Sequence, residues 1–172
     1  MLKTCGPLDY STLLLEKLKQ GVFLSSAADG KQNTMIIGWG GVNILWNKPM
    51  MVVLVRHIRA THALIEKSGE FTISIPNGHD LSKAIGICGT KSMKDVGDKF
   101  SLCALTAVPG QKVSAPIIGE CGIHYECRVA YHQDLDYDAI PDAIKSRFYP
   151  TKAIHTLYFA DILTTYTTGG DR

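Results

Sequence analysis

"VRHIRATH", residues 55–62, sets Arg56, Arg59 and Thr61 between the end of an apolar run and the start of a helical pattern. Backbone N–H groups at a helix start, the helix dipole and a guanidinium together favour a phosphate. A second polar set follows in "GTKSMKDVGDKF", residues 89–100, where Thr90, Lys91, Ser92, Lys94 and Lys99 offer hydroxyl and ammonium groups after a helix stop. Either set alone also reads as a solvated surface. Together, and with the unusual "NTMIIGWGGVNILW" that crowds Gly38, Gly40 and Gly41 around Trp39, they raise the case for a phosphorylated aromatic ligand.

Other constellations are weaker. Cys121-x-x-His124-x-x-Cys127 has ligand types that zinc selects. On a strand, however, the two cysteines stand roughly 20 Å apart and the histidine points to the opposite face. No metal is expected there. Cys88, with Lys91 and Lys94 nearby, reads as a helix-end packing residue before it reads as a reactive thiol. Six histidines carry no local pattern tying any of them to a nucleophile, and no dinucleotide fingerprint, phosphate loop, zinc-protease or serine-elbow motif is present. No catalytic residue is assigned.

These residues need elements to hold them. "YSTLLLEKLK" keeps helical spacing, with Ser11 or Thr12 as cap and Gly21 as stop. "GVFLSSAADGKQNTMIIGW" predicts a hairpin turning at Asp29-Gly30, its second strand ending at Trp39. A turn at residues 47–49 leads into "MMVVLV", a strand expected to be covered on both faces and to end at Arg56. "RATHALIEKSG" is an amphipathic helix stopped by Gly69, and "EFTISIP" alternates Phe71, Ile73 and Ile75 inward with Thr72 and Ser74 outward. "HDLSKAIGICG" predicts a helix capped by Asn77 or Asp80 and stopped by Gly89. In "CGIHYECRVAYHQDL" Cys121, Ile123, Tyr125, Cys127, Val129 and Tyr131 share one face of a half-exposed strand, with His124, Glu126, Arg128 and His132 on the other. A loop with one helical turn over "DAIPDAIKSRFYP" and a closing strand in "IHTLYFADILTTY" complete the chain. Strands dominate, helices are inserted without regular alternation, and the pattern favours an antiparallel barrel or sandwich over a doubly wound sheet.

The 172 residues, 45% hydrophobic and 20% charged, suit one domain over 1–172 with a substantial core. A net charge of +2 lacks the footprint of a nucleic-acid binder, so any anion site is local. No stretch reads as a secretory leader or membrane span, so a cytoplasmic protein without a membrane partner is expected. Five scattered cysteines suggest free thiols in a reducing compartment rather than disulfides.

From about Gly21 to Tyr166 the chain resembles the flavin reductase-like proteins of the FMN-binding split-barrel fold, especially their flavoredoxin branch. The resemblance runs through the segment from "GVFLSSAADG" to "EFTISIP", then "CGTKSMKDVGDKF", "VSAPIIGECGIHYECRV" and "HTLYFADI". It implies a mainly β fold with inserted helices, a six-stranded antiparallel split β-barrel forming a homodimer with FMN near the interface. Position by position it implies that Asn33, Thr34, Met35 and Ile37 line the isoalloxazine edge with Trp39 beside them. Arg59, Thr61 and Arg56 would meet the phosphate, helped by Thr90, Lys91, Ser92 and Lys99. Phe159 would approach the ring, and His155 would face the flavin or a nicotinamide. The implied activity is electron transfer from NAD(P)H to flavin, ferric or protein acceptors. Its alternatives are an FMN electron carrier without NAD(P)H oxidation, or a flavin-binding protein without turnover. Where relatives commonly read Ser-Gly-Arg-Asp, this chain has Ser92-Met93-Lys94-Asp95 and an additional Gly97, exchanging a planar guanidinium fork for a point charge.

Overall fold

Asp29 and Gly30 both adopt positive φ, 51° and 72°, the geometry of a two-residue hairpin turn whose twist matches its strands. The turn sets the register Ala28↔Lys31 through Val22↔Ile37. The computed structural model describes residues 2–169, so Met1 and residues 170–172 of the expected domain lie outside it. The elements are β1 (Leu2–Cys5), α1 (Ser11–Leu18), β2 (Val22–Ala28), β3 (Lys31–Ile37), β4 (Gly40–Leu45), β5 (Lys48–Arg56), α2 (Ala60–Ser68) and β6 (Glu70–Ile75). They continue with α3 (Ser82–Thr90), α4 (Met93–Val96), α5 (Lys99–Leu102), β7 (Ala107–Val108), β8 (Ile117–Ile118), β9 (Ile123–Asp134), α6 (Asp142–Phe148) and β10 (His155–Thr168).

The main sheet runs β3-β2-β6-β9-β10-β5-β4, with β1 added to the far half of β10. Every pairing in it is antiparallel. Leu24, Met35, Ile37, Met51, Val53, Val55, Phe71, Ile73, Tyr125, Cys127 and Tyr158 meet in one core, so strands from both ends of the path face the same interior. The mainly β, antiparallel class follows the sequence expectation. The count differs: the sheet has 8 strands where six were expected. β4 begins directly after Trp39, because Gly40 and Gly41 sit at φ 144° and 151°. A Cβ on Gly40 would lie 2.4 Å from the Val52 carbonyl oxygen. Only glycine lets these backbones approach so closely.

Several boundaries move for local reasons. β3 ends at Ile37, leaving Trp39 in the link to β4. The next turn is Trp46-Asn47, both at positive φ, so Pro49 lies inside β5 and pairs only with Ile44 of β4 before β10 joins at Met50. That placement spares the interior ladder its missing N–H. β5 is not covered on both faces: Met51, Val53 and Val55 are buried, whereas Val52 and Leu54 are only half-buried. α3 continues through Gly89 to Thr90; its cap position is Leu81 rather than Asp80, which lies one residue earlier and accepts the Ser82 N–H on Oδ1 at 3.0 Å. Asn77 lies outside the helix, and α6 is a helix of 7 residues rather than one turn.

The largest correction concerns the polar face of β6 and β9. Thr72, Ser74, His124 and Glu126 are fully buried, because residues 110–118 lie across them. Thr72 donates to the Pro116 carbonyl at 2.6 Å, and Glu126 accepts the N–H groups of Gln111, Lys112 and Val113 at 2.8, 2.6 and 3.2 Å. Farther along, a bulge pairs Ala160 with Val129 but Phe159 with Tyr131. The extra residue turns Tyr131 away from the face of Val129 and onto the outside.

Candidate functional site

β3 and β4 are the two ends of the sheet path, yet only Gly38 and Trp39 separate them in sequence. Among the described residues β3 therefore has a ladder partner, β2, on one side only. At this open edge Met35, Ile36, Ile37, Gly38 and Trp39 enclose a cavity of about 170 Å³ with Leu54, Arg56, Arg59 and His155. An unladdered strand edge offers a row of backbone donors and acceptors.

Arg56 and Arg59 reach the cleft from element ends, and Lys99 lies behind it. Arg56 closes β5 and donates from Nη2 to the Phe148 carbonyl at 2.7 Å, its guanidinium 5.4 Å from the Tyr149 ring centre. Arg59 precedes α2 and donates to the Gly89 carbonyl at 2.8 Å. Lys99 is buried and donates from Nζ to the carbonyls of Thr34 and Cys88, at 3.2 and 3.3 Å. Among the described residues none of the three has a carboxylate within ion-pair distance.

The electrostatic consequence is uniform. Burial and then the neighbouring Arg56 hold Arg59 below its ordinary pKa. Burial lowers Lys99 as well; nearby Cys88 opposes that shift and Arg59 adds to it. His155, facing the same space, is pushed down to about 4 by burial, then by Arg56, Arg59 and His57, and is uncharged at neutral pH. Positive charge is thus concentrated here without an anionic side chain among the described residues to balance it. The His155 Nδ1 shares a hydrogen bond of 2.9 Å with the Tyr149 hydroxyl. Its ring lies 4.8 Å from that of Trp39, which also meets Phe148 edge-on at 5.2 Å.

The expected site residues divide into three groups. Met35, Ile37, Trp39, Arg56 and Arg59 line the cavity, and Lys99 touches the strand behind it through Thr34. Asn33, Thr34 and Thr61 are buried and turned to one another or to the core. Asn33 Nδ2 donates to Thr61 Oγ1 at 2.8 Å, and the Thr34 hydroxyl meets Ser25 at 3.0 Å. Asn33 Oδ1 is buried without a hydrogen-bond partner among the described residues. Thr90, Lys91, Ser92 and Phe159 are not among the cavity residues. Thr90 bonds back to the Gly86 carbonyl, Ser92 caps α4 through the Lys94 N–H, and Lys91 is exposed. They stand just beyond the Gly89 carbonyl that Arg59 holds. Phe159 lies on the outer face against Tyr131, ring centres 5.7 Å apart. Sequence reasoning missed Leu54, Phe148 and Tyr149; the aromatic pair closing "SRFYP" was their one visible sign.

Residues 15–171 match the family model described as the flavin reductase like domain. The chain is 34% identical over 102 residues to an uncharacterised protein of Archaeoglobus fulgidus, which covers 58% of this chain and 54% of that protein. It thus spans about half the length of that relative. Among solved structures, an FMN-binding domain of a flavin reductases-like enzyme from Shewanella baltica superposes with a TM-score of 0.71 at 19% identity, over 97% of this chain and 77% of the other. Flavoredoxin from Methanosarcina acetivorans gives a TM-score of 0.66 at 26% identity, over 86% and 68%.

Proposed function

Because the chain belongs to the flavin reductase-like family, we propose that it is an FMN-binding oxidoreductase that takes electrons from NAD(P)H and passes them to a flavin, ferric or protein acceptor. The observation that carries this reading is the group Arg56, Arg59 and Lys99, three cations without a carboxylate partner among the described residues, beside an open strand edge. Such a group suits a dianionic phosphate, and the edge suits a ring whose rim alternates donors and acceptors.

In this reading Arg59 and Arg56 bind the phosphate, with Thr90, Lys91 and Ser92 near it and Lys99 adding charge from below. The backbone of Met35 to Gly38 orients the ring edge, and Asn33 Oδ1 is available for one further donor. Trp39, packed on Phe148 and His155, helps keep water from the ring. FMN, when bound, supplies the hydride and electron chemistry, and this needs no paired carboxylates from the protein. Uncharged His155 adds no further positive charge next to the arginines.

The cavity volume supports a second wall. About 170 Å³ is close to the roughly 150 Å³ of an apolar cavity that holds a benzene ring; isoalloxazine has three fused rings. Val52, Leu54, Leu157, Phe159 and Tyr131 line the outer side of β5, β10 and β9 in register, a half-exposed apolar strip next to the cleft. A second copy covering that strip would complete the wall, giving a homodimer in a reducing, cytoplasmic setting.

Anaerobic mixing of FMN-loaded protein with NADH and then NADPH tests the activity. Rapid bleaching of flavin absorbance with either is expected. The similarity to flavoredoxin favours a second reading, an FMN electron carrier. Bleaching by dithionite but by neither nicotinamide would select it over the reductase.

A further inference from the structure

Cys88 and Cys103 are 15 positions apart in sequence, yet their sulfurs lie 3.8 Å from one another. Cys88 occupies the last turn of α3, fully buried in a smaller core with Ala84, Phe100, Leu105, Ile118 and Cys121. Cys103 follows α5, packs on the same cluster and is partly exposed. We propose that these two cysteines are a modification site: a small disulfide in solution converts the pair into one intramolecular disulfide bond.

Buried cysteines are usually inert small hydrophobes. Three features set this pair apart from the buried Cys121 and Cys127. The sulfurs are neighbours, Cys103 is a partly exposed residue, and the Lys99 ammonium lies beside Cys88, donating to its carbonyl at 3.3 Å. Forming a bond of about 2.0 Å from this contact needs side-chain rotation. Cys103 is the better placed of the two to rotate, since it caps the end of α5 and is only partly buried, whereas Cys88 is fully buried.

The order of steps follows from exposure. The thiolate of Cys103 attacks the small disulfide, forming a mixed disulfide and releasing one thiol. The thiolate of Cys88 then attacks the Cys103 sulfur and displaces the second thiol. Two protein thiols lose two electrons in all, the small disulfide gains them, and the two thiol protons leave on the released thiols. Burial, reinforced by Cys103, pushes the Cys88 thiol up to about 12 while Lys99 opposes the shift. This favours entry at Cys103. The bond would close the segment that carries Thr90, Lys91, Ser92 and Lys99 into a loop.

The test is incubation of the folded protein with hydroxyethyl disulfide, acid quench, alkylation, proteolysis and mass spectrometry. The expected product joins the Cys88 and Cys103 peptides with loss of two hydrogens, leaves Cys121 and Cys127 alkylated, and is reversed by dithiothreitol. Cys103 found only as the mixed disulfide, or Cys88 joined to Cys121, would overturn the proposal. In Cys103→Ser, Cys88 should stay unmodified; its pairing elsewhere would also overturn it. The pairing does not depend on the flavin reading. Slower FMN release from the oxidised protein does, so a mapped bond in a protein that binds no FMN would sustain the pair and overturn the flavin reading alone.

Discussion

At the level of residues, burial first and neighbouring positive charge second set the protonation of the cleft. His155 and the buried His124 are both pushed to about 4, in each case first by burial. An unfolded histidine titrates near 6.5, so as pH falls from about 6.5 towards 4 the unfolded chain takes up protons that the folded chain refuses. Stability should therefore fall through that window as pH is lowered. Melting temperatures measured across it should drop, and His155→Gln should make the drop shallower; a flat profile would contradict the assignment. Arg56 and Arg59 were legible in the sequence because they sit where a strand gives way to a helix. The roles of Asn33 and Thr61 were less legible, since a polar residue near a turn does not reveal that its partner lies 28 positions away.

Among elements, glycines set where the sheet divides. Gly40 has φ 144° and faces the Val52 carbonyl, whereas Gly69 has φ 65° at the C-terminus of α2 with open space where a Cβ would project. Gly69→Ala should cost about 1 kcal/mol through backbone conformation alone. Gly40→Ala adds a steric clash and should cost ~2 kcal/mol or more, with Trp39 displaced. Urea unfolding of the two variants tests this; equal losses would mean the close approach at Gly40 is not a constraint. The hairpin at Asp29-Gly30, α2 and β10 could be read from turn residues and periodicity. β4 could not, because its opening glycines look like a loop until β5 is beside them. The outward face expected for β6 and β9 failed for a related reason. Alternation of polar residues records the strand's own two faces and is silent on whether residues 110–118 cross one of them.

For the whole molecule, the antiparallel class follows from strand-rich sequence with irregularly inserted helices, while the open β3 edge follows from topology that no single segment encodes. The half-exposed strip of Val52, Leu54, Leu157, Phe159 and Tyr131 belongs to this scale, since it joins three strands. If it is the face of a homodimer that completes the cleft, Phe159→Glu should shift sedimentation from dimer to monomer. It should also weaken FMN binding at protein concentrations where the native chain is paired. A monomeric native protein would remove that part of the account. Among the described residues no helix is long and apolar enough to cross a membrane.

The central claim, that the cations beside the β3 edge hold a flavin phosphate, is tested most directly by titrating FMN into the native protein and Arg59→Ala while following flavin fluorescence. Loss of one charge-assisted pair is worth about 1.5–3 kcal/mol, so the variant should bind ~10- to 100-fold more weakly with its circular dichroism unchanged. Native protein that binds no FMN, or a variant with unaltered affinity, would contradict it.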